Sequence, residues 1–467
     1  MPINSFLYPG AKVTTAYEVA NSCRFQDSDS SEMSRAIAST GSNTTWTVSA
    51  WVKRVELGQS SPIFGTGDGN ANNDARMVFF DADDKIECSY YNSGYTYEVT
   101  TNRVFRDISA WYHICILFDT TESTSTDRIK IYVNGTQETS FATSSYPSED
   151  ATFNFGNTSY THYVNDMGGR NIRGSHYIAE LVYLDGTALA VTNFGEFDSD
   201  SPTIWKPKDV SGLSSSKGVN GFYMDFEDSS NLGNDVWGGT DFTESNLDAQ
   251  NQTSDTCTNN FATLNPLVNF NSGVFSEGNC AITFGDDTIS TIGVTRGRWY
   301  WEAQRTNTST EAHFGIGLSK GFYSATSIVS DGDRLYTRSG TTYFSAVSNL
   351  SILTFGSNSG TSATVGNGDV IGFYLDLESD TKNITIKKND GATPIVNVDL
   401  TYSGAEPIFA FCRMNSGCSS SWNFGNPVAA LSSANSDPNG YGSFEYSTTL
   451  NSVDYYALCT KNLAEFG

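Results

Sequence analysis

A group of tyrosines surrounds one predicted turn, where their side chains could bind a sugar. The turn is a Ser-Gly step, and the tyrosines on its two sides are Tyr90, Tyr91, Tyr95 and Tyr97. Aromatic rings stack on the faces of sugar rings, and phenol hydroxyls orient the ligand through hydrogen bonds. A hairpin whose tyrosines pack against a neighbouring domain or subunit would show the same pattern. Glycan binding and packing both stay open as interpretations.

Side chains that could ligate calcium occur in two predicted loops. The first loop contains Asp68, Asn70 and Asp74, and the second contains Asp83. Carboxylate and amide oxygens are the hard ligands that calcium prefers. Their spacing differs from that of the helix-flanked calcium loop, so solvated turn residues are the alternative interpretation.

No catalytic arrangement is visible in the sequence. A retaining glycosidase needs two carboxylates about 5 Å apart, and the strand pattern Glu-x-Asp-x-x-Glu that supplies them does not occur. The nearest pattern places Asp225 and Glu227 on one strand face without the leading glutamate. The four histidines are too dispersed for a metal triad, and neither a serine-nucleophile elbow nor a phosphate-binding loop is found. We therefore predict that the protein is not an enzyme.

The charge balance excludes several classes of partner. The 467 residues include 52 acidic and 27 basic ones, which gives a formal net charge of −25. Nucleic acids and anionic lipids are bound through clusters of lysine and arginine, so neither is an expected partner. No apolar run reaches the roughly 20 residues of a membrane-spanning helix, and the first residues lack a secretory signal. A binding protein without an export signal fits release by cell lysis, as for virus particles, and a cytoplasmic protein or one whose signal has been removed is the alternative interpretation.

The eight cysteines are scattered along the chain, and none is paired at the two-residue spacing of zinc or redox motifs. Cys115 lies in an apolar strand pattern, where a thiol behaves as a small buried hydrophobic group. We predict that most cysteines are free core thiols. Cys412 and Cys418 are the pair that a hairpin could bring together.

Two halves of the chain alternate apolar and polar residues in the way typical of β-strands. The clearest runs are residues 46–52 and 129–135 in the first half and residues 299–302 and 384–387 in the second. Asn-Gly and Asn-Asp-Gly steps mark hairpin turns. Two sandwiches are predicted, and the segments are an N-terminal arm (1–20), a first sandwich (21–207), a connector (208–270), a second sandwich (271–427) and a C-terminal tail (428–467).

Two ordered sets of motifs carry a family resemblance. The first set is residues 46–54, 111–114, 131–135, 178–186 and 194–197, and the second is residues 297–302, 314–318, 368–376 and 422–425. The first resembles the laminin-G-like, concanavalin A-type modules of bacteriophage virion proteins. The second resembles a SPRY domain, although its hairpin at residues 388–391 is one residue longer than usual. The resemblance implies an all-β fold of two concanavalin-like antiparallel β-sandwiches of the jelly-roll type, in tandem after a short N-terminal arm.

Modules of this kind in tandem resemble phage tail-fibre and other virion-surface proteins. The resemblance implies a surface adhesin, a receptor-binding component that contacts a glycan or protein of the host. It further implies that the arm docks on other virion proteins, that copies form a trimer, and that calcium sits at one rim. The SPRY contact loop would contain Asp331, Asp333, Arg334 and Tyr336. A capsid decoration or structural spacer protein without receptor binding is the alternative, and a glycan-degrading enzyme is the third.

Overall fold

A computed structural model of the protein describes residues 17–70, 72–268, 273–308, 312–318, 334–338, 344–347, 353–355, 365–402, 404 and 406–467. The described residues form two compact units, one ending at Thr258 and the other beginning at Asn259. Both units are built from antiparallel sheets. The predicted all-β fold class is therefore confirmed.

The first unit contains short 3-10 helices at Asp27–Asp29, Ser125–Asp127, Val191–Asn193, Ser211–Ser216 and Ala249–Asn251. Its strands are β1 (Ser22–Phe25), β2 (Glu32–Ala36), β3 (Thr45–Arg54), β4 (Ser61–Gly67), β5 (Asn73–Phe80), β6 (Lys85–Asn92), β7 (Tyr95–Val104), β8 (Trp111–Asp119), β9 (Ile129–Val133), β10 (Thr136–Gln137), β11 (Phe141–Ser145), β12 (Thr161–Val164), β13 (His176–Asp185), β14 (Gly195–Phe197), β15 (Trp205–Pro207), β16 (Phe222–Met224), β17 (Thr243–Ser245) and β18 (Gln252–Thr253).

Two eight-stranded sheets make the sandwich of the first unit. Sheet A has the order β10-β9-β8-β3-β13-β1-β18, with β16 paired to β13, and sheet B has the order β11-β7-β6-β5-β4-β12-β2-β17. Alternate residues of each strand enter one core between the sheets, including Val48 and Val52 from sheet A and Ile86 and Val99 from sheet B. The period-two pattern of the sequence thus determines which side chains enter this core.

Sheet A is covered on its other face as well. A second apolar cluster there includes Trp51, Trp111 and Tyr177 from the sheet, and Trp205 and Cys257 from the segments that cover it. Strands buried on both faces read as nearly continuous apolar runs. Accordingly, β3, β8 and β13 are buried along almost their whole length.

The predicted boundary of the first sandwich at residue 207 lies too early. The predicted connector, residues 208–270, supplies β16, β17 and β18, which pair with β13, β2 and β1 of this unit. The first unit therefore extends to Thr258. Residues 17–20 of the predicted arm also pack on this unit, because Val19 joins its outer apolar cluster and Tyr17 donates a hydrogen bond to Glu180.

The strands of the second unit are β19 (Val274–Ser276), β20 (Ala281–Val294), β21 (Arg298–Thr308), β22 (Ala312–Leu318), β23 (Arg334–Arg338), β24 (Phe344–Val347), β25 (Leu353–Phe355), β26 (Val370–Asp376), β27 (Lys382–Lys388), β28 (Val396–Tyr402), β29 (Ile408–Asn423), β30 (Asn435–Ser436), β31 (Ser443–Phe444), β32 (Thr449–Leu450), β33 (Val453–Asp454) and β34 (Tyr456–Ala457). Helix α1 (Thr460–Phe466) follows. No helix in the described ranges is long and apolar enough to cross a membrane.

The predicted C-terminal tail, residues 428–467, is part of the second unit. Strand β34 pairs in parallel with β21, and the Phe466 ring stacks on Tyr456 with centroids 4.0 Å apart. The main core of the unit contains three tryptophans, Trp299, Trp301 and Trp422. The expected hairpin at residues 388–391 is present between β27 and β28, and Asn389 and Asp390 in its turn have positive φ.

Candidate functional site

The hairpin of β6 and β7 divides the four predicted tyrosines between the two faces of sheet B. Tyr90 lies opposite Tyr97, and Tyr91 lies opposite Tyr95, with a register shift between these two pairs. Successive side chains of a strand point to opposite faces of its sheet. This alternation separates Tyr90 from Tyr91, and the register shift, which skips Thr96, separates Tyr97 from Tyr95. One pair therefore faces the core, and the other faces away from it.

The inner pair is part of the hydrophobic core. Tyr90 is 3% exposed and Tyr97 is fully buried. The Phe153 ring lies 5.1 Å from each of them, centroid to centroid. The Tyr90 hydroxyl also lies 3.2 Å from the Tyr160 hydroxyl. Neither inner ring can stack on a ligand without opening the core, and both rings pack inside their own unit rather than against a neighbouring domain or subunit.

The outer pair forms an aromatic corner at the surface. The rings of Tyr91 and Tyr95 meet edge to face, with centroids 5.3 Å apart and an interplanar angle of 84°. Tyr95 is 47% exposed, which is unusual for a large aromatic side chain in this unit. An exposed tyrosine held by a neighbouring ring presents a rigid apolar surface with a polar edge.

Arg76 of strand β5 lies beneath this aromatic corner. Its Nη1 donates to the Tyr95 hydroxyl oxygen at 2.7 Å, and its guanidinium carbon lies 5.4 Å from the Tyr95 ring centroid and 6.0 Å from that of Tyr91. A guanidinium within about 6 Å of an aromatic centroid is attracted to the ring face. Arg76 therefore fixes the orientation of the exposed tyrosine.

Two carboxylates hold Arg76 in place. Its Nη1 lies 3.1 Å from Glu87 Oε1, and its Nε lies 3.3 Å from Asp74 Oδ1. Burial raises the pKa of the Glu87 carboxyl, while hydrogen bonds from Ser89 and Arg76 act in the opposite direction. The buried charges are paired, as buried charges must be. We name Arg76, Glu87, Tyr91 and Tyr95 the tyrosine–arginine site.

A loop between β12 and β13 extends the ion network. Arg170 Nη1 donates to Asp74 Oδ2 at 2.8 Å, so Asp74 joins Arg170 to Arg76. The carboxylate of Asp166 accepts hydrogen bonds from the backbone N–H groups of Gly169, Arg170 and Asn171 at 2.7–2.9 Å. Burial and the neighbouring Glu32 raise the pKa of Asp166 to about 6. Asp166 thus holds the loop in the conformation that places Arg170 against Asp74.

The arrangement is suited to binding rather than to proton transfer. Tyr95 offers an exposed ring face and Arg76 is largely saturated by its partners, so a ligand would meet an aromatic surface with polar groups at its edge. Sugar rings present apolar C–H faces and equatorial hydroxyls that match such a surface. The carboxylate of Glu87 accepts from Arg76 and from the Ser89 hydroxyl at 2.6 Å, which occupies its Oε1 atom.

The predicted calcium ligands do not converge on one point. Asp68 accepts hydrogen bonds from the Asn70 backbone and the Asn73 side chain, and Asp74 is paired with two arginines. Asp83 pairs with Lys85 in the turn at the other end of β5, roughly 20–25 Å away for a strand of that length. In the part of the chain that the structure describes, no group of three or more metal-ligating side chains is assembled.

The remaining predicted residues lie elsewhere or outside the described ranges. Asp331 and Asp333 fall outside the described residues. Arg334 and Tyr336 lie on β23, whose backbone pairs with β22 and β24. In the segment that partly matches the glycosidase pattern, Asp225 accepts a hydrogen bond from the Glu227 backbone. None of the eight cysteines, including the pair Cys412 and Cys418, is joined to another by a disulfide, as predicted for most of them.

Sequence reasoning missed Arg76, Glu87 and Arg170. A signal for the first two existed: Glu87, Ser89 and Tyr91 share one face of β6 by the period-two rule, and Asp74 and Arg76 share one face of β5, whose last four residues are apolar. Arg170 had no comparable signal, because it reaches Asp74 from 96 residues away in the sequence.

A protein-family model matches part of the first unit. Residues 27–170 match the family model of the concanavalin A-like lectin/glucanases superfamily, Laminin_G_3. Among solved structures, domains LG4-5 of the mouse laminin alpha1 chain are 10% identical, with a TM-score of 0.30, over 90% of this chain and 92% of that one. The TRIM65 PSpry domain is 12% identical, with a TM-score of 0.27, over 35% of this chain and 88% of that one. The SPRY domain of human HERC1 is 17% identical, with a TM-score of 0.24, over 34% of this chain and 96% of that one.

None of the curated proteins matches the chain. The residues of the tyrosine–arginine site all lie inside the range that the family model matches, as does Arg170 at its last position. The family model and the two packed antiparallel sheets point to the same fold. Within the first unit, residues 27–170 are thus similar to the concanavalin A-like domains of the laminin-G type.

Proposed function

We propose that this protein is a surface adhesin that binds a glycan at the tyrosine–arginine site of its first unit. One observation carries the proposal: the exposed Tyr95 ring is held edge to face by Tyr91 and from below by Arg76. A rigid exposed aromatic costs little conformational entropy when it stacks on a ligand. The laminin-G and concanavalin A-like fold is one that binds carbohydrate or protein, which supports the same class of function.

The charge of the site favours a neutral sugar as ligand. Glu87 accepts a hydrogen bond from Arg76 and Asp74 forms an ion pair with it, so its guanidinium is not free for an anionic ligand. The chain as a whole carries a formal charge of −25, which repels polyanionic glycans at low ionic strength. We expect binding to hexoses or N-acetylhexosamines rather than to uronic or sialic acids.

The biological setting that we propose is the surface of a bacteriophage particle, as part of a tail fibre. Its partners would then be a host glycan, or a host surface protein, and other virion proteins reached through the N-terminal arm. Single glycan sites are weak, and many copies on one particle, or three in a trimer, multiply weak contacts into firm attachment. The proposed activity is binding without catalysis.

The first experiment is a glycan array, followed by calorimetric titration of the purified full chain with its best ligand. Tyr95→Ala is expected to weaken binding by at least about tenfold, in the range of one lost stacking contact. The matched control is Phe197→Ala, which removes another large aromatic of similar exposure, 44%, on strand β14. The control is expected to bind like the wild type.

Two results would overturn the proposal. Absence of binding to any glycan or host cell extract would favour a capsid decoration or spacer protein, which adds stability to particles without competing for host attachment. Equal binding by Tyr95→Ala and the wild type would place the ligand elsewhere. Because the predicted calcium ligands do not converge, we expect binding to be the same with calcium and with a chelator.

A further inference from the structure

A buried lysine and a buried aspartate of the first unit lie in contact. Lys53 Nζ lies 2.7 Å from Asp255 Oδ2, and their side chains are 1% and 0% exposed. The two residues are 202 positions apart in the sequence. Among the lysine–carboxylate pairs that join described residues, this is the one with both partners almost fully enclosed, since the lysines of the others are 12–40% exposed.

The surroundings of this pair are aromatic. In the register of sheet A, Lys53 lies between Trp111 of β8 and Tyr177 of β13. Lys53 Nζ lies 5.6 Å from the Tyr177 ring centroid, and Trp111 Nε1 donates to Asp255 Oδ1 at 3.0 Å. The Asp255 backbone is fixed too, because its carbonyl accepts a hydrogen bond from the Ser22 hydroxyl at 2.6 Å.

We propose that Lys53 and Asp255 become joined by an intramolecular isopeptide bond. The side-chain amine of Lys53 and the carboxyl group of Asp255 are the two groups that condense to an amide, and the fold holds them in contact at 2.7 Å. Such enforced contact corresponds to a very high effective concentration.

The proposed reaction balances without an added reagent. A proton passes from Lys53 Nζ to Asp255, and the freed Nζ lone pair attacks Asp255 Cγ. The developing negative charge on Oδ1 receives the hydrogen bond of Trp111 Nε1, which acts as an oxyanion donor. The Cγ–Oδ2 bond then breaks, Oδ2 takes a proton from Nζ, and one water leaves. The enclosure that promotes the reaction also hinders the return of water for hydrolysis.

The bond would fasten the end of the first unit to the middle of sheet A. Asp255 follows β18, the short edge strand that pairs with β1, and Lys53 belongs to the central strand β3. A covalent link between them removes the freedom of the intervening chain in the unfolded state. For a protein that works under pulling forces, this link would keep the unit from unravelling at that end.

The test is the mass of the intact, denatured and reduced full chain. The wild type is expected to be one water, about 18 Da, lighter than its sequence, and Lys53→Arg and Asp255→Ala are expected to have the masses of their own sequences. Lys206→Arg is the matched control, because Lys206 also pairs with a carboxylate but at 12% exposure; it is expected to keep the deficit. Tandem mass spectrometry of a wild-type digest is expected to show one branched peptide joining residues 53 and 255.

Each outcome decides the question. A wild type with its full sequence mass overturns the proposal. So does a deficit that persists in Lys53→Arg or that hydroxylamine removes, because Asp-Gly steps such as Asp185-Gly186 lose water by succinimide formation instead. If Lys53→Arg fails to fold, the branched peptide of the wild type still supports the bond, and its absence from a complete digest still rejects it.

Discussion

The two tyrosine pairs of the β6–β7 hairpin lie on opposite faces of sheet B. Tyr90 and Tyr97 lie opposite one another inside the core, whereas Tyr91 and Tyr95 lie opposite one another on the outer face of sheet B. The residue types are the same, and they are separated by a few positions. The face of the strand, together with what lies beneath each ring, therefore determines whether a tyrosine stabilises the fold or is available to a ligand.

The surroundings of the two pairs differ in kind. The inner rings pack against phenylalanines, with Tyr97 5.3 Å from Phe118 and 5.1 Å from Phe153. The outer rings pack against a guanidinium that is itself held by carboxylates. An apolar environment anchors a ring by burial, and a charged one orients a ring while leaving its other face open.

The largest expected difference is in stability. Tyr97→Ala should lower the free energy of unfolding of the first unit by about 3–5 kcal/mol, because it leaves a cavity in the core. Tyr95→Ala, which removes a half-exposed ring, should cost less than about 1 kcal/mol. Hydrogen exchange of β6 and β7 peptides in urea measures both variants in the full chain without interference from the second unit. Equal losses for the two variants would contradict the division between the faces.

The second difference concerns the ion network. Arg76→Met should cost about 3 kcal/mol, since it leaves the buried carboxylate of Glu87 without its cation. Arg103→Met is the control, because the Arg103–Glu138 pair is 49% exposed on the arginine side and is worth about 0.5 kcal/mol. Urea unfolding followed by the same peptides compares them. The double variant Arg76→Met with Glu87→Leu should regain part of the lost free energy of unfolding. If it regained none, Arg76 would stabilise the unit through packing alone.

The strands with strong alternation were predictable from the sequence, and so was the all-β fold class. The end of the first unit was not, because β16, β17 and β18 are two or three residues long and too short to show a period. These strands belong to the unit only through pairing with strands that are distant in the sequence. Tertiary pairing of this kind leaves no local signal.

Part of the candidate site could likewise be predicted from the sequence, and part could not. The tyrosine cluster was found, but the alternation that separates Tyr90 from Tyr91 was interrupted by a register shift in the hairpin. The network around Asp74 joins residues far apart in sequence, so its aspartate looked like a calcium ligand when in fact it pairs with Arg76 and Arg170. Charge pairing depends on positions in space that the sequence does not display.

The third difference is in the response to pH. Burial and Glu32 raise the pKa of Asp166 to about 6 from an ordinary value of 3.8. A carboxyl with a raised folded pKa binds its proton more tightly in the folded state, so its stabilising contribution is present below pH 3.8 and is lost as the pH rises through 6. We expect the loop at residues 166–171 to lose on the order of 1–2 kcal/mol over this range. The inner pair Tyr90 and Tyr97, which packs against the Phe153 ring, should show no such loss.

The control for this pH response is Glu32→Gln. Removing the negative charge beside Asp166 should bring the pKa of Asp166 closer to its ordinary value, so the change in stability between pH 4 and pH 6 should become smaller. Exchange of the Gly169, Arg170 and Asn171 amides, which donate to Asp166, reports the loop directly. A pH response that is unchanged in Glu32→Gln would assign it to another group.

The smallest expected changes in stability come from removing single hydroxyl groups. These substitutions distinguish the two faces of sheet B by their effects on glycan binding. Tyr90→Phe leaves Asn154 and Tyr160 without one buried hydrogen-bond partner and should cost about 1 kcal/mol, with no effect on ligand binding. Tyr95→Phe removes an acceptor of Arg76 at the surface and should cost under about 0.5 kcal/mol. Its effect should instead appear in calorimetric titration, as weaker glycan binding, because the ring loses the bond that orients it. If Tyr90→Phe weakened glycan binding more than Tyr95→Phe did, glycan affinity would depend on the core pair. The outer face of sheet B would then not be the binding site.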